Sequence, residues 1–255
     1  MENAFGQPQN VVVFGGSSDM ARAVVARLVQ ARTRTVVLAG RSEELLAAAA
    51  HEATVGGATS TATVLFNAED PSSAGRTVGA AFDRVGAPVD LVILAVGLLS
   101  DQLRDENDPV AAAKIATVNF TWPVAALAEV RRRLVAQGSG RILVFSSITA
   151  VRVRRGAYLY GGAKAGLDRL CMSLADSLDG TGVTLQVVRP GFVKSKMTEG
   201  MKPAPFAVGV NDVAESVMKG LASGQRVIYS PAVLQFVYAI LRHLPAALWR
   251  KVSDR

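Results

Sequence analysis

The chain has 255 residues, half of them apolar, with a mean hydropathy of +0.28 and a formal net charge of +7. That length suits one large α/β domain with ample interior for a core. One cysteine, Cys171, excludes an internal disulfide, and the two histidines, His51 and His243, show no ligand spacing, so no metal site is expected.

Residues Met1 to Asn10 carry an acid and no apolar stretch, so no cleaved signal peptide is expected. No apolar run approaches the ~20 residues needed to span a bilayer. Basic residues cluster at Arg131–Arg133, Arg152/Arg154/Arg155, Lys194/Lys196/Lys202 and Arg242–Lys251. Such clusters suit phosphate-bearing ligands or an anionic membrane surface. They lack interleaved aromatics and any recognition motif, which argues against nucleic acid as a partner.

Val11–Phe14 is a β-branched run that reads as a buried strand. It leads through Gly15-Gly-Ser-Ser-Asp-Met-Ala21 into a helical pattern from Arg22 to Gln30. A strand, a glycine turn and a helix start make an anion site, because unpaired N–H groups and the helix dipole face a phosphate. Gly15, Ser17, Ser18, Asp19 and Met20 are the candidate cofactor contacts there. The usual dinucleotide fingerprint carries glycine at positions 19 and 21, where this chain has Asp19 and Ala21. Asp19 suits a bound pyrophosphate only if it turns away or caps the helix.

A second strand, Thr35 to Ala39, runs into Gly40-Arg41 and a helix from Ser42. An NAD site places an acid at this strand end to hold the ribose 2′-hydroxyl. Gly40 stands there, and the Arg41 guanidinium suits a 2′-phosphate, so NADPH is expected over NADH. Thr61 to Phe66 is the third strand, with Asn67 placed to meet an adenine amino group. A helix follows over Pro71 to Val85, then an almost wholly apolar strand, Val89 to Val96. Ala95 and Gly97 close that strand, where the backbone passes near a ligand.

Asp108 to Gln137 reads as one long helix containing Asn119, stopped by Gly138-Ser-Gly140. Arg141 to Ser146 is a fifth strand, Leu159 to Leu178 a helix, and Val183 to Arg189 a sixth strand closed by Pro190-Gly191. Strands alternating with helices at this spacing specify a doubly wound parallel sheet, Rossmann-type, with helices on both faces. Gly15, Gly97, Ser147 and Pro190 all fall at carboxyl ends of strands, where such sheets bind ligands.

Tyr160 and Lys164 stand four apart on the predicted helix, so both side chains leave one face. An ammonium beside a phenol favours the phenolate and lowers its pKa towards working pH. A phenol so tuned exchanges a proton with an alcohol or ketone oxygen, and Ser147 is placed to bond the same oxygen.

The glycine loop, Asn119, Ser147, Tyr160-xxx-Lys164 and Pro190-Gly-Phe-Val-Lys-Ser195 together resemble the short-chain dehydrogenase/reductase family over roughly residues 10–230. The resemblance implies an NAD(P)-dependent oxidoreductase. It makes Tyr160 the proton donor and Ser147 the group that holds the substrate oxygen. Lys164 would lower the Tyr160 pKa and bind the nicotinamide ribose, and Asn119 would seat a water in the proton relay. Ser195, the Val193 backbone and Pro190 would flank the carboxamide. The family's Asn-Asn-Ala-Gly after strand four reads Leu94-Ala-Val-Gly97 here, which bears on cofactor contacts.

In the second half, Val153-Arg-Arg155, Tyr160 to Asp168, Arg189-Pro-Gly191, Lys202 to Pro205 and Leu241-Arg-His-Leu-Pro245 are similar to the decaprenylphosphoryl-2-keto-ribose reductases. That resemblance implies reduction of a keto-pentose carried on a decaprenyl phosphate, supplied by a partner oxidase, to give the arabinose donor of cell-wall arabinan. Arg152, Arg154 and Arg155 would then meet the lipid-linked phosphate beside Ser147 and Tyr160. Lys194 to Val208 reads as a lid.

Residues 231–255 form an appended segment. Val233 to Leu241 is apolar almost all round, followed by basic residues and Trp249, as in a helix lying at a membrane surface. Packing on the core, or in a homo-oligomer contact, fits the same pattern. The expectation is peripheral membrane association on the cytoplasmic face, with the periplasmic side left open, and a homo-oligomer. Two rival functions stay open: reduction of another hydrophobic ketone, such as a steroid or acyl chain, and a non-catalytic dinucleotide-binding interaction protein.

Overall fold

The computed structural model describes residues 6–253; the N-terminal residues 1–5, part of the stretch read for a signal sequence, and the last two lie outside it. The elements run in order β1 Asn10–Phe14, α1 Asp19–Gln30, β2 Thr35–Gly40, α2 Glu43–Val55, β3 Ser60–Leu65, α3 Ala74–Val85, β4 Leu91–Leu94, α4 Gln102–Asp105 and α5 Pro109–Ala116. A π-helical turn, Thr117–Thr121, joins α5 to α6 Trp122–Gln137. There follow β5 Gly140–Phe145, α7 Tyr158–Ser177, β6 Val183–Pro190, β7 Val193–Lys194, β8 Val208–Gly209, α8 Val210–Ser223, β9 Val227–Ser230, α9 Val233–Leu241 and α10 Ala246–Ser253.

Seven strands form one parallel sheet in the order β3-β2-β1-β4-β5-β6-β9. Its helices lie on both faces, the doubly wound architecture expected above. Alternate residues of each strand feed opposite faces. Val12, Phe14, Val37 and Ala39 enter the core shared with α3, α6 and α7. Val11, Val13, Val36 and Leu38 enter the core shared with α1, α2 and α8. Burial on both faces is why these strands read as apolar runs rather than as alternating ones. The strand order reverses between β1 and β4, which opens a crevice at their carboxyl ends.

Several predicted boundaries shift. The fourth strand is trimmed to Leu91–Leu94, and Pro71–Ser73 is a 3₁₀ turn ahead of α3. Residues 109–137 form one helical rod of a length and apolarity that a membrane span would need, contrary to the expectation that no stretch approaches it. Its buried side, with Trp122, Ala126, Leu127, Val130 and Leu134, packs against the sheet. The seventh strand, β9, and the helix before it were not predicted. Four residues, Val-Ile-Tyr-Ser, carry too little periodicity to identify an edge strand.

Aromatic packing fixes the rod to the sheet next to the crevice. Trp122 stacks on Phe66 with ring centroids 4.3 Å apart, and Phe14 meets both rings at 6.3 and 5.9 Å. The lid stretch has a short stem in which β7 pairs with β8, Val193 opposite Val208.

Gly15 has φ +86°, and a Cβ there would lie 2.6 Å from the Ala95 carbonyl oxygen. The glycine turn therefore exists first to let β1 and β4 close together. Gly15→Ala is expected to lower the urea unfolding free energy by about 1–3 kcal/mol, from strain and overpacking. Gly75→Ala is the control, since its Cβ would meet nothing within 4 Å. An equal response of the two variants would refute this reading of the turn.

Candidate active site

A cavity of about 480 Å³ opens at the carboxyl ends of β1, β2 and β4. Gly15, Ser17, Ser18, Asp19, Met20, Arg41, Asn67, Ala95, Gly97 and Ser195 line it, so most of the predicted cofactor residues come together there. Pro190 and Val193 do not: Pro190 is buried against Ser230 in the sheet, and Val193 is buried in the β7 stem. The Val193 carbonyl accepts a hydrogen bond from Thr198 Oγ1 at 2.6 Å.

The cavity suits a dinucleotide. Ser18 is the N-cap of α1, yet its side chain makes no capping bond, and the first-turn N–H groups have no helical acceptor. They offer an anion several donors along with the dipole. Asp19 does not confront that position. Its Oδ2 accepts the Lys196 backbone N–H at 2.8 Å, and Arg22 lies 3.9 Å from its Oδ1. This carboxylate instead straps the segment after β7 to the start of α1.

At the other end of the cavity Arg41 is exposed and makes no ion pair among the described residues. The neighbouring carboxylate of Glu69 is paired with Lys114 at 2.6 Å. Asn67 Oδ1 accepts the Glu69 N–H at 3.0 Å, which uses one of its two lone pairs on a local turn. Phe66, Leu98, Leu99, Val118 and Met197 also line the cavity and were not anticipated. Phe66, Leu98 and Leu99 follow strand ends, so the position rule for such sheets was the available signal.

Tyr160, Lys164, Ser147 and Asn119 converge beside the inner end of this cavity. Gly97 marks the junction: a Cβ there would lie 3.3 Å from Asn119 Oδ1 and 3.5 Å from Lys164 Nζ. Asn119 is fully buried in the π-helical turn. Its amide nitrogen donates to the Ile115 and Leu98 carbonyls at 2.9 and 2.8 Å, and its oxygen accepts the Leu98 N–H at 3.2 Å. The side chain thus ties the rod to the loop after β4.

Lys164 Nζ donates to the carbonyls of Phe145 at 3.0 Å and Val96 at 3.3 Å, and lies 6.0 Å from the Tyr160 ring centre. Burial pushes its pKa down from 10.5 to about 8. Burial pushes the Tyr160 phenol up to about 12, opposed by a hydrogen bond from Ser147. The Lys164 ammonium is turned to main-chain oxygens, and burial sets the direction of the Tyr160 shift. Ser147 Oγ accepts from the Thr149 N–H at 3.2 Å and from Thr149 Oγ1 at 2.9 Å. Those bonds occupy its lone pairs and leave its proton to donate to Tyr160 or to a substrate oxygen.

The three arginines of the substrate loop separate. Arg152 donates to the Leu241 and Arg242 carbonyls at 2.8 and 2.9 Å and stacks 4.6 Å from the Trp249 ring centre. It closes the C-terminal end of α9 rather than facing the cleft. Arg154 and Arg155 are exposed.

Between about pH 8 and 10.5 the unfolded chain binds a proton at Lys164 that the folded protein does not. Stability contributed by this site therefore rises with pH across that window. Tyr160 acts with the opposite sign at higher pH, between its ordinary 10.0 and about 12. Urea midpoints taken at about pH 7.5 and about pH 9.5 are expected to rise in the wild type relative to Lys164→Met. The same pH response in both proteins would overturn the assignment of a strained lysine.

The short chain dehydrogenase family profile matches residues 9–205. An uncharacterized oxidoreductase of Mycobacterium tuberculosis is 40% identical over 242 residues, 95% of this chain and 96% of the relative. Another, of Streptomyces coelicolor, is 38% identical over 251 residues, 98% of each chain. A short chain dehydrogenase of Burkholderia cenocepacia, solved in complex with NADP, shares the fold at TM-score 0.79 and 20% identity, over 95% of this chain and 96% of that one. A variant of actinorhodin polyketide ketoreductase, solved with NADPH, gives 0.76 at 21% identity over 87% and 95%. With the profile spanning most of its length and relatives matching end to end, the chain belongs to the short-chain dehydrogenase/reductase family of NAD(P)-dependent oxidoreductases.

Proposed function

We propose that the protein is an NADPH-dependent reductase that acts on the 2-keto carbon of a pentose carried on a polyprenyl phosphate, with the decaprenylphosphoryl sugar as substrate. The observation that carries this reading is an apolar helix face beside the catalytic loop. On α9, Val233, Phe236 and Ile240 are exposed, the last two by about 70% (69% and 70%), while Leu234 is the residue buried under it. Arg152 and Trp249 fasten this segment to the loop between Ser147 and Tyr160. A helix too short to span, with apolar residues on one side and Arg242, Arg250 and Lys251 following, suits an anionic membrane surface. A prenyl chain would lie along that surface, and its phosphate would meet the exposed Arg154 at the loop.

The nicotinamide ring, when bound, supplies hydride to the carbonyl carbon. The chain's own residues handle the oxygen and the proton. Ser147 has its proton free to donate, so it holds the carbonyl oxygen next to the Tyr160 hydroxyl. Tyr160, at about 12, is protonated at neutral pH and acts as donor in the direction of reduction. The Lys164 ammonium, near the ring, stabilises the resulting phenolate. Arg41 and the first-turn amides of α1 would hold the cofactor phosphates.

A second reading keeps this mechanism and changes the substrate to another hydrophobic ketone. Commitment of Arg152 to α9 favours it, because one of three cationic phosphate contacts is used elsewhere.

The test is NADPH oxidation with the keto-sugar lipid generated in situ by its oxidase, beside steroid and acyl ketones without phosphate. Turnover of the sugar lipid is expected, together with a loss of at least about 100-fold in Tyr160→Phe while NADPH still binds. Phe236→Glu/Ile240→Glu is expected to slow the membrane-presented substrate and spare a short-chain phosphate analogue. Turnover of the phosphate-free ketones alone would select the second reading. In the same assay Arg41→Ala is expected to raise KM for NADPH about tenfold and leave that for NADH almost unchanged. Equal effects on the two cofactors would remove Arg41 from the 2′-phosphate.

A further inference from the structure

Beneath the catalytic residues lies a buried charged pair that the reaction does not use. Asp168 is one turn beyond Lys164 on α7 and 2% exposed. Arg189, near the end of β6, grips it in two-point fashion, Nε to Oδ2 at 2.9 Å and Nη2 to Oδ1 at 2.7 Å. Ser146 Oγ donates to the same Oδ2 at 2.7 Å. The remaining Arg189 nitrogen donates to the Tyr229 hydroxyl on β9 at 2.6 Å. The network therefore joins β5, β6, β9 and α7. Neither Asp168 nor Arg189 lines the cofactor cavity.

Its placement follows a simple register. Tyr160, Lys164 and Asp168 are spaced by four and share a face of α7. Three consecutive residues at the end of β5 receive them. The Phe145 carbonyl takes Lys164, Ser146 takes Asp168, and Ser147 takes Tyr160. Sliding or rotating α7 by a fraction of a turn would break all three at once. A buried ion pair is poor value as a source of stability, since desolvation offsets most of its attraction. What a planar guanidinium on a carboxylate does supply is direction, because two parallel bonds fix both distance and angle.

We propose that Asp168 and Arg189 are positioning residues that set the register of α7 on β5, and thereby hold the Tyr160 hydroxyl against the Ser147 proton. Tyr229 steadies the guanidinium from β9. Ser147 acts on Tyr160 from the end of β5, and Cys171 acts on Lys164 from their own helix, α7; Arg189 on β6 and Tyr229 on β9 stand behind Asp168.

The test needs no substrate. The protein is labelled with 3-fluorotyrosine, which lowers the phenol pKa into an accessible range, and the Tyr160 fluorine resonance is assigned by its loss in Tyr160→Phe. Its ionisation is followed with and without NADPH in the wild type, Asp168→Asn, Tyr229→Phe and Ser147→Ala. If the pair acts by placing Ser147 against Tyr160, Asp168→Asn raises the proton affinity of the phenol about tenfold. Ser147→Ala does the same, and the double variant shifts no further than either single. Tyr229→Phe, which removes one hydroxyl and keeps the fold, shifts in the same direction by less. NADPH affinity changes by less than about threefold, since the cavity wall is untouched. A fall in proton affinity in Asp168→Asn would overturn the proposal, because the uncompensated Arg189 charge would then be acting through space. So would an unmoved Tyr160 resonance with only a lower melting temperature, which is the mark of packing alone.

Discussion

The ammonium of Lys164 sits 3% exposed between two strand ends, donating to the carbonyls of Phe145 on β5 and Val96 just after β4. A buried cation is costly unless every donor is met. These carbonyls lie at the carboxyl end of β5 and just beyond that of β4, so the strand ends themselves supply the acceptors. The lysine thus clamps α7 to two neighbouring strands at the mouth of the crevice. Everything chemical in the molecule is arranged around that clamp: Tyr160 one turn before it, Gly97 leaving room beside it, and Asn119 approaching it from the rod.

Asn119 owes its position to an irregularity. In a regular helix its side chain would compete with the backbone of its own turn. The π-helical turn at Thr117–Thr121 widens the rod and lets the amide reach Ile115 and Leu98 together. The loop after β4 is held in this way, and with it Leu98 and Leu99 along the cavity wall. The glycine turn after β1 has a comparable double role. Its backbone closes β1 onto β4, and the same closure brings the first turn of α1 to face the phosphate position.

The C-terminal segment is coupled to the catalytic loop through main-chain contacts. Arg152 binds the final carbonyls of α9, and the Trp249 indole donates to the Val153 carbonyl at 3.1 Å. Leu234 packs against Gly191, where a Cβ would come within 2.6 Å of it. The exposed apolar face of α9 is thereby held at a fixed attitude to the loop carrying Arg154 and to the start of the lid stretch. A substrate with an apolar tail and a polar reacting head would meet both in one approach.

The sequence by itself determined six of the seven strands of the sheet, their alternation with helices, and the Tyr160/Lys164 pairing on one helix face, because period, glycine placement and spacing are local properties of the chain. It also placed about half of the cavity-lining residues, since strand ends are where ligands sit in such sheets. Tertiary structure alone decided where polar groups spend their hydrogen bonds. Lys164 turned to main-chain carbonyls, and burial pushes the phenol up; Arg152 turned to α9; Asp19 turned to Lys196. Strand β9 and the Asp168–Arg189 pair were illegible for a related reason: an edge strand of four residues has no period, and the two charged residues are neighbours only once α7 packs on β6. Long side chains choose partners from whatever the packed fold brings within reach, and that choice is not written in spacing along the chain.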